Sequence, residues 1–229
     1  MTSSEQPNLD LCLRVARQIA REAGKMMLSA FHQPKKIEFK GRTDLVTETD
    51  KAIEDFVSSE LKKAFPGHQF LGEETIAALQ AAGKPAIEDL TDEPTWVVDP
   101  VDGTTNFVHA LPYSCVSIGL AFRKEAVLGV VYNPMTAEMF TAIRGSGAFL
   151  NDSPIAVNGN SELVYSLVAT GIPYDKSYMR DVVQGSLLTV QREAQGKKLD
   201  FNFLFQPNLA HLCFFLSLDS YEAQWVRCP

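Results

Sequence analysis

The chain has 229 residues, 45% of them hydrophobic and 21% charged, with a formal net charge of −7. That is an ordinary globular balance, and length over ~150 residues per domain allows one large domain or two small ones. An acidic chain without a basic stripe is a poor general binder of nucleic acid, and no run of about 18 apolar residues marks a membrane span.

In chain order, Leu9, Leu13, Ala16, Ala20, Ala23, Met27 and Phe31 recur at three-to-four spacing and predict an amphipathic helix over residues 8–31. A charged stretch with a bend at Gly41 follows, and a second helix is expected over residues 51–65, stopped by Pro66-Gly67. The middle is strand-like. Residues 96–98 form a short apolar run, 114–122 and 126–132 read as a hairpin around Arg123-Lys124-Glu125, and 138–143 with 148–151 read as a second. A strand is expected at 166–170 and a helix at 178–194. Helices, a largely antiparallel sheet and a further helix make a layered α+β arrangement. The N-terminus has no secretory pattern, and Cys12, Cys115, Cys213 and Cys228 lack metal-knuckle spacing. They read as reduced thiols, and the expected location is cytoplasmic.

Three acidic segments stand out: Leu45 to Asp50 (LVTETD), Gly72-Glu73-Glu74, and Asp99 to His109 (DPVDGTTNFVH). Asp99 and Asp102 lie three apart across Pro100, in what reads as a turn after a buried strand. Two carboxylates aimed at one point repel each other, and a hard divalent cation such as Mg²⁺ resolves that repulsion with oxygen ligands. A helix starting at Gly103-Thr104-Thr105 would offer backbone N–H groups to an anion. Metal-binding carboxylates beside phosphate donors are what phosphoryl hydrolysis requires. Each segment alone has a plainer meaning. Asp99 and Asp102 read equally as turn and N-cap residues, Glu73-Glu74 as a solvated pair and Asp50 as a helix N-cap.

Taken together and in order, LVTETD, GEET and WVVDPVDGTTNFVH resemble the inositol monophosphatase family, as do GVVYNP (residues 129–134) and GSGAFLN (145–151). The resemblance covers residues 8–196, weakens over 197–208 and partly returns over 209–229, within a single domain spanning 1–229. It implies a layered αβαβα sandwich and a Mg²⁺-dependent, lithium-sensitive phosphatase acting on inositol monophosphate. It assigns Glu73, Asp99 and the Val101 carbonyl to a first metal, and Asp99 and Asp102 to a second. Asp50 and Thr104 would activate the attacking water. Gly103, Thr104 and Thr105 would donate to the phosphate, and Glu73, Val101, Asp102 and Glu222 would line the substrate. Lys40 would lie near a third metal, and His109 behind the motif. A homodimer is the implied assembly.

The family's Gly-Ser/Thr-Ala segment has no counterpart in GKKLDFNFLFQPN (residues 196–208), and the family's Trp-Asp metal ligand would fall beyond Pro229. The sequence therefore reads as lacking the late elements of the family fold. Two alternatives stand beside the leading one: a related phosphatase of another small phosphate ester, and an inactive metal-binding chain paired with a longer relative.

Overall fold

The computed structural model describes residues 6–34, 36–39, 45–83 and 90–156. Helix α1 spans Leu9–Phe31 and begins where the Asn8 side chain accepts the Leu11 N–H at 3.0 Å. Cys12, Ala16, Ile19, Ala20, Ala23, Met27 and Phe31 form its buried stripe. Gly24 lies on the same stripe because a Cβ there would stand 2.5 Å from the Tyr132 ring. The missing side chain lets the helix settle onto the sheet.

Strands β1 (Ile37–Phe39) and β2 (Leu45–Thr47) pair antiparallel where the sequence suggested only a charged bend. Helix α2 spans Glu48–Ala64. It starts earlier than expected, and Asp50 is not its N-cap. Thr47 is the cap, and Asp50 is the third helical residue, closing a capping box back onto Thr47.

A seven-stranded sheet follows the order β3-β4-β5-β6-β7-β8-β9. Its strands are β3 (Gln69–Gly72), β4 (Thr95–Asp102), β5 (Cys115–Phe122), β6 (Glu125–Asn133), β7 (Glu138–Ile143), β8 (Gly147–Leu150) and β9 (Ser153–Ile155). Only the β3–β4 pairing is parallel among these; the others are antiparallel, as the sequence pattern suggests. The β5–β6 turn is tighter than expected. Arg123 and Lys124 alone make it, at φ 53° and 64°, and Glu125 already opens β6. Two central residues of positive φ match the twist of a hairpin.

The two long helices pack on each other and on one face of the sheet, α1 over β5 and β6 and α2 over β4. Cross-strand rungs build that face: Val98, Ile118 and Val130 lie opposite one another, and Trp96, Leu120 and Leu128 form the next rung. All six are core residues. Burying a side chain of this size contributes about 1.5–3 kcal/mol, so these rungs and the α1 stripe account for much of the fold's stability. Between β3 and β4 lies α3 (Glu73–Ala81), and between β4 and β5 lies α4 (Thr104–Val108). The strand expected at 166–170 and the helix at 178–194 lie outside the described residues.

Candidate active site

The site forms where β3 and β4 end. These strands run parallel, and Gly72 pairs with Val98. The next residues therefore come level with each other: Glu73, which opens α3, and Asp99, which continues in β4. Glu73 and Glu74 are not in a turn: they form the first turn of α3.

The DPVD segment is not a turn either. β4 runs through to Asp102, with its register broken between Asp99 and Asp102. In an unbroken strand, residues three apart face opposite sides of the sheet. The irregularity removes that alternation, and Pro100, which cannot donate to a ladder, falls inside it. The effect is visible at Cys115, whose Sγ stands 3.8 Å from Asp102 Oδ2. Burial pushes this thiol well above its ordinary pKa, and the charges of Asp102 and Asp99 raise it further. Asp102 thus lies against Cys115, and the thiol beside it stays protonated at neutral pH.

The chain then turns sharply. Gly103 has φ 83°, a left-handed conformation that glycine adopts without penalty. A Cβ there would also stand 2.9 Å from the Tyr113 carbonyl oxygen. Asn106, fully buried, donates to that same carbonyl at 2.8 Å, and Ser114 Oγ donates to the Gly103 carbonyl at 2.9 Å. Gly103 and Asn106 of the DGTTNF string thus lock the turn from which α4 departs.

Thr104, the first residue of α4, places its Oγ 3.2 Å from Asp50 Oδ1 and 3.0 Å from the Val101 carbonyl oxygen. It carries one proton for two acceptors. The other oxygen of Asp50 accepts the Thr47 N–H at 3.0 Å and the Thr47 hydroxyl. Asp50 is 1% exposed and sits on the inward stripe of α2 with Ile53, Val57 and Leu61.

One residue went unnoticed in the sequence. Glu54, one turn after Asp50 on the same stripe and 3% exposed, reaches the second acidic segment. Its Oε2 accepts the Glu74 N–H at 2.7 Å; its Oε1 accepts the Thr75 N–H at 2.8 Å and the Thr75 hydroxyl. The available signal was an acidic residue at a core position of an amphipathic helix, four after Asp50. At the rim, the Lys51 ammonium bonds Glu38 at 2.8 Å. Its pKa is raised by that bond first, and further by the charges of Glu74 and Asp50.

The oxygens at this end of β3 and β4 are of the kind that suits a hard cation: the carboxylates of Glu73, Asp99 and Asp102, and the Val101 carbonyl, which accepts the Thr104 hydroxyl. Among the described residues, no three His, Cys, Asp or Glu side chains are already drawn close enough to hold a metal ion. His109 is exposed and donates from Nδ1 to the Thr105 carbonyl at 2.8 Å, which ends α4. Lys40 and Glu222 lie outside the described residues. Among those described, no helix is long and apolar enough to cross a membrane.

Comparison with known proteins identifies the family and the fold. The sequence model described as "Inositol monophosphatase family" matches residues 8–193. Inositol monophosphatase 3 of Solanum lycopersicum is 52% identical over 167 residues, covering 73% of this chain and 60% of that protein. Inositol monophosphatase 1 of the same plant is 45% identical over 221 residues, covering 96% of this chain and 73% of that one. The chain thus spans less than two thirds of the first relative's length. The crystal structure of the extragenic suppressor protein suhB of Bartonella henselae superposes with a TM-score of 0.74 at 32% identity, over 89% of this chain and 74% of that one.

Proposed function

The chain belongs to the inositol monophosphatase family, and we propose that it is a Mg²⁺-dependent, lithium-sensitive phosphatase that hydrolyses inositol monophosphate to inositol and phosphate. One observation carries the reading. Two buried acids one turn apart on α2, Asp50 and Glu54, bind the third and the second acidic segments, 54 and 20 residues away. Three segments that are weak signals singly meet through one helix.

The residues divide the work. Glu73, Asp99, Asp102 and the Val101 carbonyl would hold Mg²⁺, Glu73, Asp99 and Val101 at one position and Asp99 with Asp102 at another. When bound, the ion supplies Lewis acidity that lowers the pKa of a water and takes charge from the departing oxygen. Thr104 accepts a hydrogen bond from the attacking water through Oγ while passing its own proton toward Asp50 Oδ1, 3.2 Å away. Thr47 fixes the Asp50 carboxylate from its other side, so the acceptor keeps its aim. The first amides of α4 would face the phosphate, with Gly103 setting their direction. Glu222 would contact the substrate ring. From the family resemblance, the chain is read as a cytoplasmic homodimer.

Phosphate release from inositol 1-phosphate tests the reading, with Mg²⁺, with EDTA, and with Mg²⁺ plus Li⁺. Release that requires Mg²⁺, falls with Li⁺ and is lost in Asp99→Asn is the expected result. Mg²⁺-dependent release from another phosphate ester, but not from inositol 1-phosphate, would overturn the substrate. Mg²⁺-dependent thermal stabilisation without turnover would overturn the activity of this chain and leave a metal-binding partner of a longer relative.

A further inference from the structure

Helix α3 begins with the residue proposed to hold the metal, yet it has no cap of its own. Its N-cap is Gly72, which offers no side-chain hydrogen bond. Two of its first-turn amides, of Glu74 and Thr75, are instead taken by the carboxylate of Glu54, from a helix 20 residues upstream. The Thr75 hydroxyl adds a third donor. The space for this comes from Gly72. The three atoms nearest to a Cβ built there are the Glu54 carboxyl atoms, at 2.3–2.6 Å. Glu73 is thus bracketed: the residue before it must lack a side chain for Glu54 to fit, and the two after it are bonded to Glu54. The register of Gly72 with Val98 brings that bracketed residue level with Asp99.

From this we infer that Glu54 is a positioning residue for the metal. It fixes the first turn of α3 so that Glu73 is presented at the end of β3 beside Asp99. The inference rests on the proposed role of Glu73. In these terms the GEET string has a division of labour. Gly72 admits the Glu54 carboxylate, Thr75 holds it, and Glu73 is what the arrangement presents. Groups that orient a ligand without touching the ion commonly change metal affinity about 10–100-fold when altered. Glu54→Gln keeps the volume but turns an NH₂ group toward N–H donors, so the first turn of α3 loses its anchor.

The test follows the thermal midpoint of the 229-residue chain against Mg²⁺ concentration, without substrate. A ligand at concentration L that binds only the folded state stabilises it by RT ln(1 + L/Kd), so the midpoint rises with the ratio of concentration to Kd. The Mg²⁺ concentration giving a set rise therefore reads affinity separately from the starting stability. The expected result is a 10–100-fold higher requirement in Glu54→Gln. A smaller increase is expected in Thr75→Ala, with recovery in Thr75→Ser. Thr75 is exposed, so its variants test the idea even where Glu54→Gln fails to fold. A lower midpoint with an unchanged Mg²⁺ requirement in the folded variants would overturn the inference and leave the metal reading standing. Absence of any Mg²⁺ response in the unsubstituted chain would overturn the metal reading and the inference with it.

Discussion

Replacing Gly72 with alanine puts a methyl group where the Glu54 carboxylate stands. Gly72 has φ −105° and ψ 142°, ordinary extended backbone, so alanine meets no conformational strain there. The whole cost is the displacement of Glu54. That carboxylate accepts hydrogen bonds from the Glu74 N–H, the Thr75 N–H and the Thr75 hydroxyl, and it is buried. Hydrogen bonds to a charged group contribute about 1.5–3 kcal/mol each, and a buried charge left without them is penalised further. Losing one or two gives a destabilisation of about 3 kcal/mol. At 2–4 °C per kcal/mol for a domain of about 150–250 residues, the midpoint falls by about 6–12 °C. In a Glu54→Ala background the same substitution meets none of those atoms. Removing a glycine from extended backbone then favours folding by about 0.4–1 kcal/mol, through the unfolded state. The sign of Gly72→Ala thus reverses with the residue at 54, a coupling of about 3.4–4 kcal/mol in a double-mutant cycle. The assay is thermal or urea unfolding of the four variants. Equal costs for Gly72→Ala in both backgrounds would falsify the claim that this glycine exists to admit Glu54.

At the other turn, Gly103→Ala combines a left-handed φ of 83° with a Cβ 2.9 Å from the Tyr113 carbonyl, backbone that Asn106 already holds. A loss of about 2 kcal/mol is expected, read as a lower urea midpoint; an unchanged midpoint would refute the role given to this turn. For alkaline pH the sign follows from Cys12, whose thiol burial in α1 pushes up from 9.0 to about 11. The folded state keeps its proton longer than the unfolded state, so this contribution is complete below pH 9 and is lost as pH rises toward about 11. The thermal midpoint should fall over that window, and Cys12→Ala should flatten the fall; an unaltered slope in the variant would refute the assignment.

What could be read from the sequence follows from what each element buries. Helix α1 presents a continuous apolar stripe, and the β5–β6 hairpin presents two apolar runs around a charged turn; both were legible. Helix α3 was not, because Glu74 is its only buried residue, leaving no apolar stripe to find. Strands β1 and β2 are three residues each and lie in a charged stretch. β4 continues through Asp99-Pro100-Val101-Asp102 although Asp and Pro favour turns, because pairing of Asp99 and Asp102 with β5 outweighs local preference. The acidic segments were visible as a set, and the family resemblance paired Thr104 with Asp50; the junction made by Glu54 was not visible. A hydrogen bond spanning 20 residues, such as Glu74 to Glu54, leaves no periodic trace.

Those junctions explain why the acids on α2 break the helix pattern. An apolar residue at position 50 or 54 would extend the stripe of Ile53, Val57 and Leu61 and avoid the cost of burying a charge. Each acid meets that cost with named donors: Thr47 and Thr104 for Asp50, Glu74 and Thr75 for Glu54. The donors belong to β2, α4 and α3, elements that lie at or beside the rim where the metal is proposed to bind. Four residues of helix rise about 6 Å, so one rigid element sets the distance between the Asp50–Thr104 pair, proposed to activate water, and the first turn of α3, proposed to present Glu73. Such buried polar groups fix a geometry more than they add stability, since an apolar replacement would satisfy the core equally well and leave α3 and α4 without a common reference.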